Sequence, residues 1–375
     1  MKIQFSMKKF LVRSMQILLI LIVLLIVGGL LYMRHDRFGA VPSGERLALM
    51  ESKANYRDGA FNNIEHTPDL AEGTSYTDVL RSFISKRERN SPKSLIPVKK
   101  NNLHHLPIDS NLYVWFGHSS YLLQLDGKKI LVDPVFSKYA TPVRLSVRAF
   151  NSEYSYTAED MPEIDILVIT HDHWDHLDYN TFMKLKHKVK HIVTGLGVGA
   201  HLEKWGYPNE NITELYWGDS TSVAGLKFTS ATARHFSGRT FKRNTTLWSS
   251  FILQGTKKIY IGGDSGYGKH FREIGNQYGP FEFAILENGQ YNEMWKYIHM
   301  MPEEVITASK DLHAQYVIPV HSAKFPLANH AWDEPLIRVT KAAKENQVNL
   351  ILPAIGQIVY MNDIPSNTEW WKGLE

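Results

Sequence analysis

The stretch that decides the fold reads Ile164-Asp-Ile-Leu-Val-Ile-Thr170, followed at once by His171-Asp172-His173-Trp174-Asp175-His176-Leu177-Asp178. Its first half is almost continuously apolar and rich in β-branched residues, the texture of a strand buried on both faces. Its second half packs three imidazoles and two carboxylates between His171 and His176. Core packing gives no reason for such a density, because burying these groups without partners is costly. A divalent metal ion satisfies them, since neutral imidazole nitrogens and carboxylate oxygens are the ligands that zinc and iron take.

Strand-length apolar runs recur on both sides of this stretch. They are 112–116, 121–125 and 128–132 before it, then 191–195, 226–233, 249–254, 257–262, 283–288, 316–320 and 350–355 after it. Helical patterns are expected at 179–189, 302–313 and 332–345, the second opening on Pro302-Glu303-Glu304. Strands sandwiched between helices follow, with a ββ-then-α/β pattern once in each half. Four runs are followed by His171, His235, Asp264 and His321. Strands that deliver ligating side chains at their C-terminal ends build the sites of open α/β sheets.

Composition narrows the function. The chain of 375 residues is 21% charged and 43% hydrophobic, as in ordinary globular proteins. Of its formal charge of +4, Lys2, Lys8, Lys9 and Arg13 sit at the N-terminus, so the remainder is nearly balanced and offers no concentrated basic face for nucleic acid. The absence of cysteine excludes zinc ribbons, thiol nucleophiles, disulfide scaffolds and a lipid-modified thiol. The chain has 17 histidines; His104, His105, His187, His191, His201, His270, His313 and His330 have no ligating context and are expected at the surface or in the core.

Residues 1–14 read as a short basic tail and 15–33 as a transmembrane anchor. Ile17 to Met33 is uncharged and, as a helix, about 25 Å long, at the short end of a bilayer span. A cleaved secretory signal is the alternative, but Met33-Arg34-His35-Asp36-Arg37 follows in place of a small-x-small cleavage site. The basic residues before the span, against Arg34, Arg37 and Arg46 offset by Asp36 and Glu45 after it, place the bulk of the chain outside the cytoplasm. Residues 34–110 are read as an extension wrapping the domain, with a short helix from Thr77 to Ile84 capped by Thr77 or Asp78. Lys86-Arg87-Glu88-Arg89 reads as a solvated face. Residues 111–362 form the catalytic domain and 363–375 a C-terminal tail, where Trp370-Trp371 either meets the membrane interface or caps the domain. Gly195-Leu-Gly197-Val-Gly199 lacks the full dinucleotide-binding spacing and is discounted.

His-x-His-x-Asp-His after an apolar strand, with distant His, Asp and His, resembles the metallo-β-lactamase superfamily. Trp115-Phe-Gly-His118-Ser-Ser, Leu131-Val-Asp133-Pro134, Leu247-Trp248-Ser-Ser, Gly263-Asp264-Ser-Gly266 and Tyr297-Ile-His299-Met-Met-Pro302-Glu303-Glu304 are similar to its N-acylphosphatidylethanolamine-hydrolysing phospholipase D subgroup, which has sugar-phosphate lactonases as relatives. The resemblance implies an αββα sandwich and two divalent ions, zinc by its ligand set, with iron or manganese compatible. His171, His173 and His235 would hold one ion, and Asp175, His176 and His321 the other. Asp264 would bridge them, which makes Asp175 and Asp264 the catalytic carboxylates. Asp178 is expected to orient a ligand imidazole. His118 either lines the site or is a hydrogen-bonded structural histidine. The usual aromatic after the last histidine is replaced by Ser322-Ala323, which alters the expected pocket.

Two such ions share a water and lower its pKa, which suits in-line attack on a phosphodiester without a protein nucleophile. The expected substrate is a membrane phospholipid. A lactonase or other ester hydrolase on the same scaffold is the nearest alternative, and a non-catalytic lipid-binding protein the more distant one. The segment Gln290 to Met301, with Tyr291, Lys296 and His299, either meets acyl chains at the rim or packs its Trp and Met inward; Lys296 and His299 are candidates for a phosphate. Oligomeric state is not legible.

Overall fold

The computed structural model describes residues 2–85, 89–143 and 147–374. Helix α1 (Lys2–Tyr32) is followed by an extension holding α2 (Gly44–Glu51), a small hairpin of β1 (Tyr56–Arg57) and β2 (Ala60–Phe61), and α3 (Tyr76–Ile84). The first half of the domain contains β3 (Leu112–Trp115), β4 (Tyr121–Leu125), β5 (Lys128–Val132), β6 (Ile164–Ile169), α4 (Tyr179–Leu185), β7 (Val189–Gly195), α5 (Gly199–Lys204) and β8 (Ile212–Leu215). The second half contains β9 (Ser220–Val223), β10 (Leu226–Ala231), β11 (Ser250–Gln254), β12 (Lys258–Ile261), α6 (His270–Tyr278), β13 (Phe281–Glu287), α7 (Pro302–Asp311), β14 (Ala314–Val320), α8 (Glu334–Asn346) and β15 (Ile358–Tyr360).

Two sheets result, ordered β15-β3-β4-β5-β6-β7-β8 and β14-β13-β12-β11-β10-β9. Each begins as an antiparallel meander and turns parallel, from β5 onward in the first and from β12 onward in the second. Alternation along the strands divides the core. Leu123, Ile130, Ile166 and Val168 join Phe228, Phe251 and Leu253 of the other sheet in one cluster. Leu122, Leu131, Leu167 and Ile169 point the other way and pack with Phe182 and Leu185 of α4 and Leu202 of α5. On the far side, Ile306 and Val305 of α7 and Leu336 and Val339 of α8 cover the second sheet. This is the metallo-β-lactamase αββα sandwich.

Several boundaries differ from the sequence reading. Helix α4 ends at Leu185, because β-branched Val189 opens β7 in register with Ile164. The run 350–355 is buried from Ile351 onward but makes only isolated bridges, at Leu350 and Ile355, with Pro353 unable to donate to a ladder. Strands β8 and β9 are short and polar, and β15 is only three residues long, so none stands out. Helix α3 is capped by Ser75, two residues before Thr77, and Ser75 forms a reciprocal capping box with Asp78.

Helix α1 spans the expected basic tail as well as the apolar run, and Met7–Tyr32 is long and apolar enough to cross a membrane. The extension is tied down by Arg46, which pairs with Glu203 at 2.7 Å and Glu214 at 2.6 Å. Of the charged run, Lys86, Arg87 and Glu88 lie outside the described residues, whereas Arg89 is exposed and also pairs with buried Asp333. Trp371 is buried, with Trp370 against it edge to face, so this pair caps the domain. Trp295 and Met300 are buried too, which favours inward packing for the segment 290–301.

Candidate metal centre

Four chain reversals aim side chains into one place. The loop after β6 carries His171, His173, Asp175 and His176. The segments after β10, β12 and β14 bring His235, Asp264 and His321. The turn before Asp264 requires Gly263, whose φ is +62° and where an added Cβ would lie 2.9 Å from the Cβ of Thr170. His118, Asp133 and His321 hold left-handed conformations without being glycine (φ 52°, 40° and 69°). Such conformations persist where the surrounding structure fixes them. Here the His118 N–H donates to the Ser322 carbonyl and the His321 N–H to the His118 carbonyl, both at 2.9 Å.

His173 Nδ1 lies 2.8 Å from His171 Nε2 and 3.2 Å from His235 Nε2. A second group gathers His118, Asp175, His176 and His321. Asp264 stands between the two: its Oδ2 is 3.2 Å from His176 Nε2, 3.7 Å from His235 Nε2 and 3.9 Å from His171 Nε2, and its Oδ1 is 3.3 Å from His321 Nδ1. Each sheet therefore contributes part of one donor set.

The outward nitrogens of these rings fix which way their lone pairs face. His235 Nδ1 donates to the Ile298 carbonyl at 2.9 Å, and His176 Nδ1 to Asp133 Oδ2 at 2.8 Å. The Thr170 hydroxyl gives its proton to Asp133 at 2.6 Å, so it accepts from His171 Nδ1 at 3.0 Å. Each Nε2 then turns a bare lone pair inward. Burial and neighbouring imidazoles hold His171, His235 and His321 well below the usual histidine range, in the neutral ligating form. Burial also pushes the Asp264 carboxyl up to about 6 against the pull of His176, a cost that a cation removes. His176 Nε2 and Asp264 Oδ1 are buried with no hydrogen-bond partner. Converging lone pairs and orphaned donor atoms fit a bound metal ion and little else.

The remaining candidates divide. His118 is fully buried and its Nε2 meets Asp175 Oδ2 at 2.8 Å, so it belongs to the site. His299 joins too, near His235, Asp264 and His321, with its Nδ1 on Glu287 Oε2 at 2.7 Å. Asp178 touches no imidazole. It caps α4, accepting from the N–H groups of Asn180, Thr181 and Ser137, because a carboxylate at a helix start finds free donors at once. Tyr291 is buried against His330 and donates to Glu334, away from the metal ligands. Lys296 lies 3.9 Å from Glu72, its ammonium over Tyr297.

Sequence reasoning missed Asp133, which holds both His176 and Thr170, although Leu131-Val-Asp133-Pro134 placed an acid at a strand end. It also missed Glu287, a fully buried carboxylate that closes β13 and is raised well above its ordinary range by burial. It missed the support behind the metal loop as well. Asp172 accepts from His201 Nε2 at 3.1 Å, from Thr246 Oγ1 at 2.9 Å and from the Gly238 N–H at 2.6 Å. Buried Arg239 donates to the carbonyls of Asp172 and Leu177, clasping both ends of that loop, and its guanidinium lies 3.9 Å over the Trp174 ring.

The sandwich and the donor cluster at its strand ends define a metal-dependent hydrolase. A beta-lactamase superfamily domain model matches residues 128–322, and the chain belongs to the metallo-β-lactamase superfamily. It is 36% identical over 331 residues to an uncharacterised protein of Mycobacterium tuberculosis, covering 87% of this chain and 89% of that one. It is 30% identical over 256 residues to the N-acyl-phosphatidylethanolamine-hydrolyzing phospholipase D 1 of Caenorhabditis elegans, covering 62% of this chain and 70% of that one. Among solved structures, Igni18, a metallo hydrolase from the archaeon Ignicoccus hospitalis, superposes with a TM-score of 0.51 at 22% identity, over 67% of this chain and 98% of that one.

Proposed function

We propose that the chain is a membrane-anchored, dinuclear phosphodiesterase that cleaves phospholipid, in the manner of an N-acylphosphatidylethanolamine phospholipase D. Asp264 between two donor groups is the observation that carries the dinuclear reading. His171, His173 and His235 form one set, Asp175, His176 and His321 the other, and zinc suits both. Two bound ions would supply Lewis acidity toward a phosphoryl oxygen and lower the pKa of water between them.

The chain's own groups do the rest. Asp264 is placed to hold a proton from attacking water, Asp175 is steadied by His118, and Glu287 keeps the His299 ring turned toward the cluster. The lipid substrate is supported by likeness to the worm phospholipase D and by α1, whose C-terminal end lies near the metal loop: Phe38 packs edge to face on Trp174 at 5.2 Å. The test is to assay full-length, metal-loaded protein in vesicles containing N-acylphosphatidylethanolamine, with product identification by mass spectrometry. Release of phosphatidic acid supports the reading. Inactivity on every lipid phosphodiester, with turnover of lactones or carboxylic esters, replaces it.

A further inference from the structure

None of the residues of α3 is buried, and its apolar positions split into two lines. Phe83 faces the domain and stacks on Trp295 at 5.9 Å. Tyr76, Leu80 and Ile84, spaced i, i+4 and i+8 along one line of the helix, point outward with 69%, 59% and 75% of their surface exposed. A helix held by one edge that leaves a full apolar stripe in the open has a face made for something else.

The loop between β10 and β11 has the same character. Phe241 at its tip is 89% exposed, more than any other large apolar side chain among the described residues, and Lys242 and Arg243 follow it. An aromatic side chain flanked by cations suits a lipid interface, where the ring enters the acyl boundary and the charges meet anionic headgroups.

These features are neighbours. Arg243 pairs with Asp69 at 2.7 Å, and Asp69 accepts from the Tyr76 hydroxyl at 3.2 Å. Arg243 also lies 3.9 Å over the Phe236 ring, and Phe236 packs on His173 at 4.3 Å. His173 is the half-buried member of the histidine ligands, so this is the side on which the metal centre opens. At the other end of the loop, Arg239 donates to the carbonyl of Arg37, in the turn directly after α1. The stripe and the loop tip thus lie on the side of half-buried His173, and the same loop reaches the end of α1.

We propose that Tyr76, Leu80, Ile84 and Phe241, with Lys242 and Arg243, form a bilayer-contacting rim around the entrance to the metal centre, occupied by lipids of the membrane that α1 enters. The proposal rests on α1 being an anchor. The bilayer is favoured over a second copy of the chain because an anchored domain has that surface beside it permanently, and because Lys242 and Arg243 directly follow the exposed Phe241.

The absence of cysteine makes the test direct. Leu80→Cys, Ile84→Cys and Phe241→Cys are prepared one at a time in the full chain, labelled with an environment-sensitive fluorophore and reconstituted into vesicles of phosphatidylcholine and phosphatidylglycerol. Leu25→Cys in α1 and Ile337→Cys on α8 serve as references. The expected result is a blue shift, quenching by nitroxide-bearing lipid and loss of iodide quenching at positions 25, 80, 84 and 241, with the reverse at 337. Lipid quenching at 25 together with iodide quenching at 80, 84 and 241 overturns the rim and leaves the anchor standing. Iodide quenching at 25 overturns the anchor, and the rim with it. Shielding of 80, 84 and 241 from both quenchers marks a protein interface and also overturns the proposal. The readout needs no turnover, so failure of the phospholipase reading is seen separately.

Discussion

The backbone N–H of Ala40 donates to Nδ1 of His201 at 3.0 Å, which leaves the ring's proton on Nε2, where it reaches Asp172 of the metal loop. The segment after α1 is therefore part of the scaffold behind the metal centre and more than a tether. Trp205 Nε1 donates to the Asp36 carbonyl at 2.8 Å and Lys204 Nζ to the Gly39 carbonyl at 2.9 Å, closing the same contact.

Gly39→Ala tests this contact. Gly39 has φ +74°, and a Cβ there would lie 1.9 Å from His201 Nδ1. The expected outcome is a stability loss of about 1–3 kcal/mol in denaturant unfolding, with faster loss of metal on dialysis against chelator. Stability and metal retention equal to the parent would show that the segment does not support the loop.

Asp133 and Asp178 separate support of a ligand from support of a helix. Asp133→Asn weakens the acceptor for His176 and Thr170, and metal affinity is expected to fall about 10–100-fold. Asp178→Asn alters the cap of α4 and the bond from the Ser137 N–H but no imidazole, so metal affinity should hold while stability drops by about 1 kcal/mol at most. Elemental analysis and thermal unfolding of the two variants check the contrast.

His173→Ala and Asp264→Asn remove a donor from the centre. Both are expected to lower bound metal and to bring hydrolysis to background, with far-UV circular dichroism unchanged because the two sheets have their own core. Full metal content and undiminished turnover in both variants would discard the hydrolytic assignment.

His270 predicts a pH dependence away from the metal ligands. Burial, aided by Arg234, lowers its pKa to about 3 in the folded chain. The unfolded value is about 6.5, so above that pH the ring is neutral in both states and costs nothing. As pH falls from about 6.5 toward about 3, the unfolded chain takes a proton that the folded chain refuses, and stability declines. His270→Gln should flatten that decline, as read from unfolding midpoints across the interval.

Much of this was legible because the informative residues lie where strands end. Continuous apolar runs marked β6, β12, β13 and β14, and a ligating side chain after each of three of them marked the site. What stayed hidden depends on contacts distant in sequence. Nothing local distinguishes His201, which meets Asp172 across the fold, from His191. Asp178 sits beside ligands yet faces a helix start, so proximity in sequence misled. Asp133, far from the cluster in sequence, reaches it through the parallel pairing of β5 with β6. Short polar strands such as β9 carry no periodic signal and form because their neighbours supply an edge.

Because the donors come from both sheets, any ion they share acts as a rivet between two leaves that otherwise adhere through side-chain packing and a few backbone hydrogen bonds, such as those between His118 and the segment of His321. Resistance to unfolding then becomes a function of metal supply, rising by about 2.7 kcal/mol when the free ion stands at one hundred times its dissociation constant. A melting temperature for this protein has meaning only beside the ion activity at which it was taken.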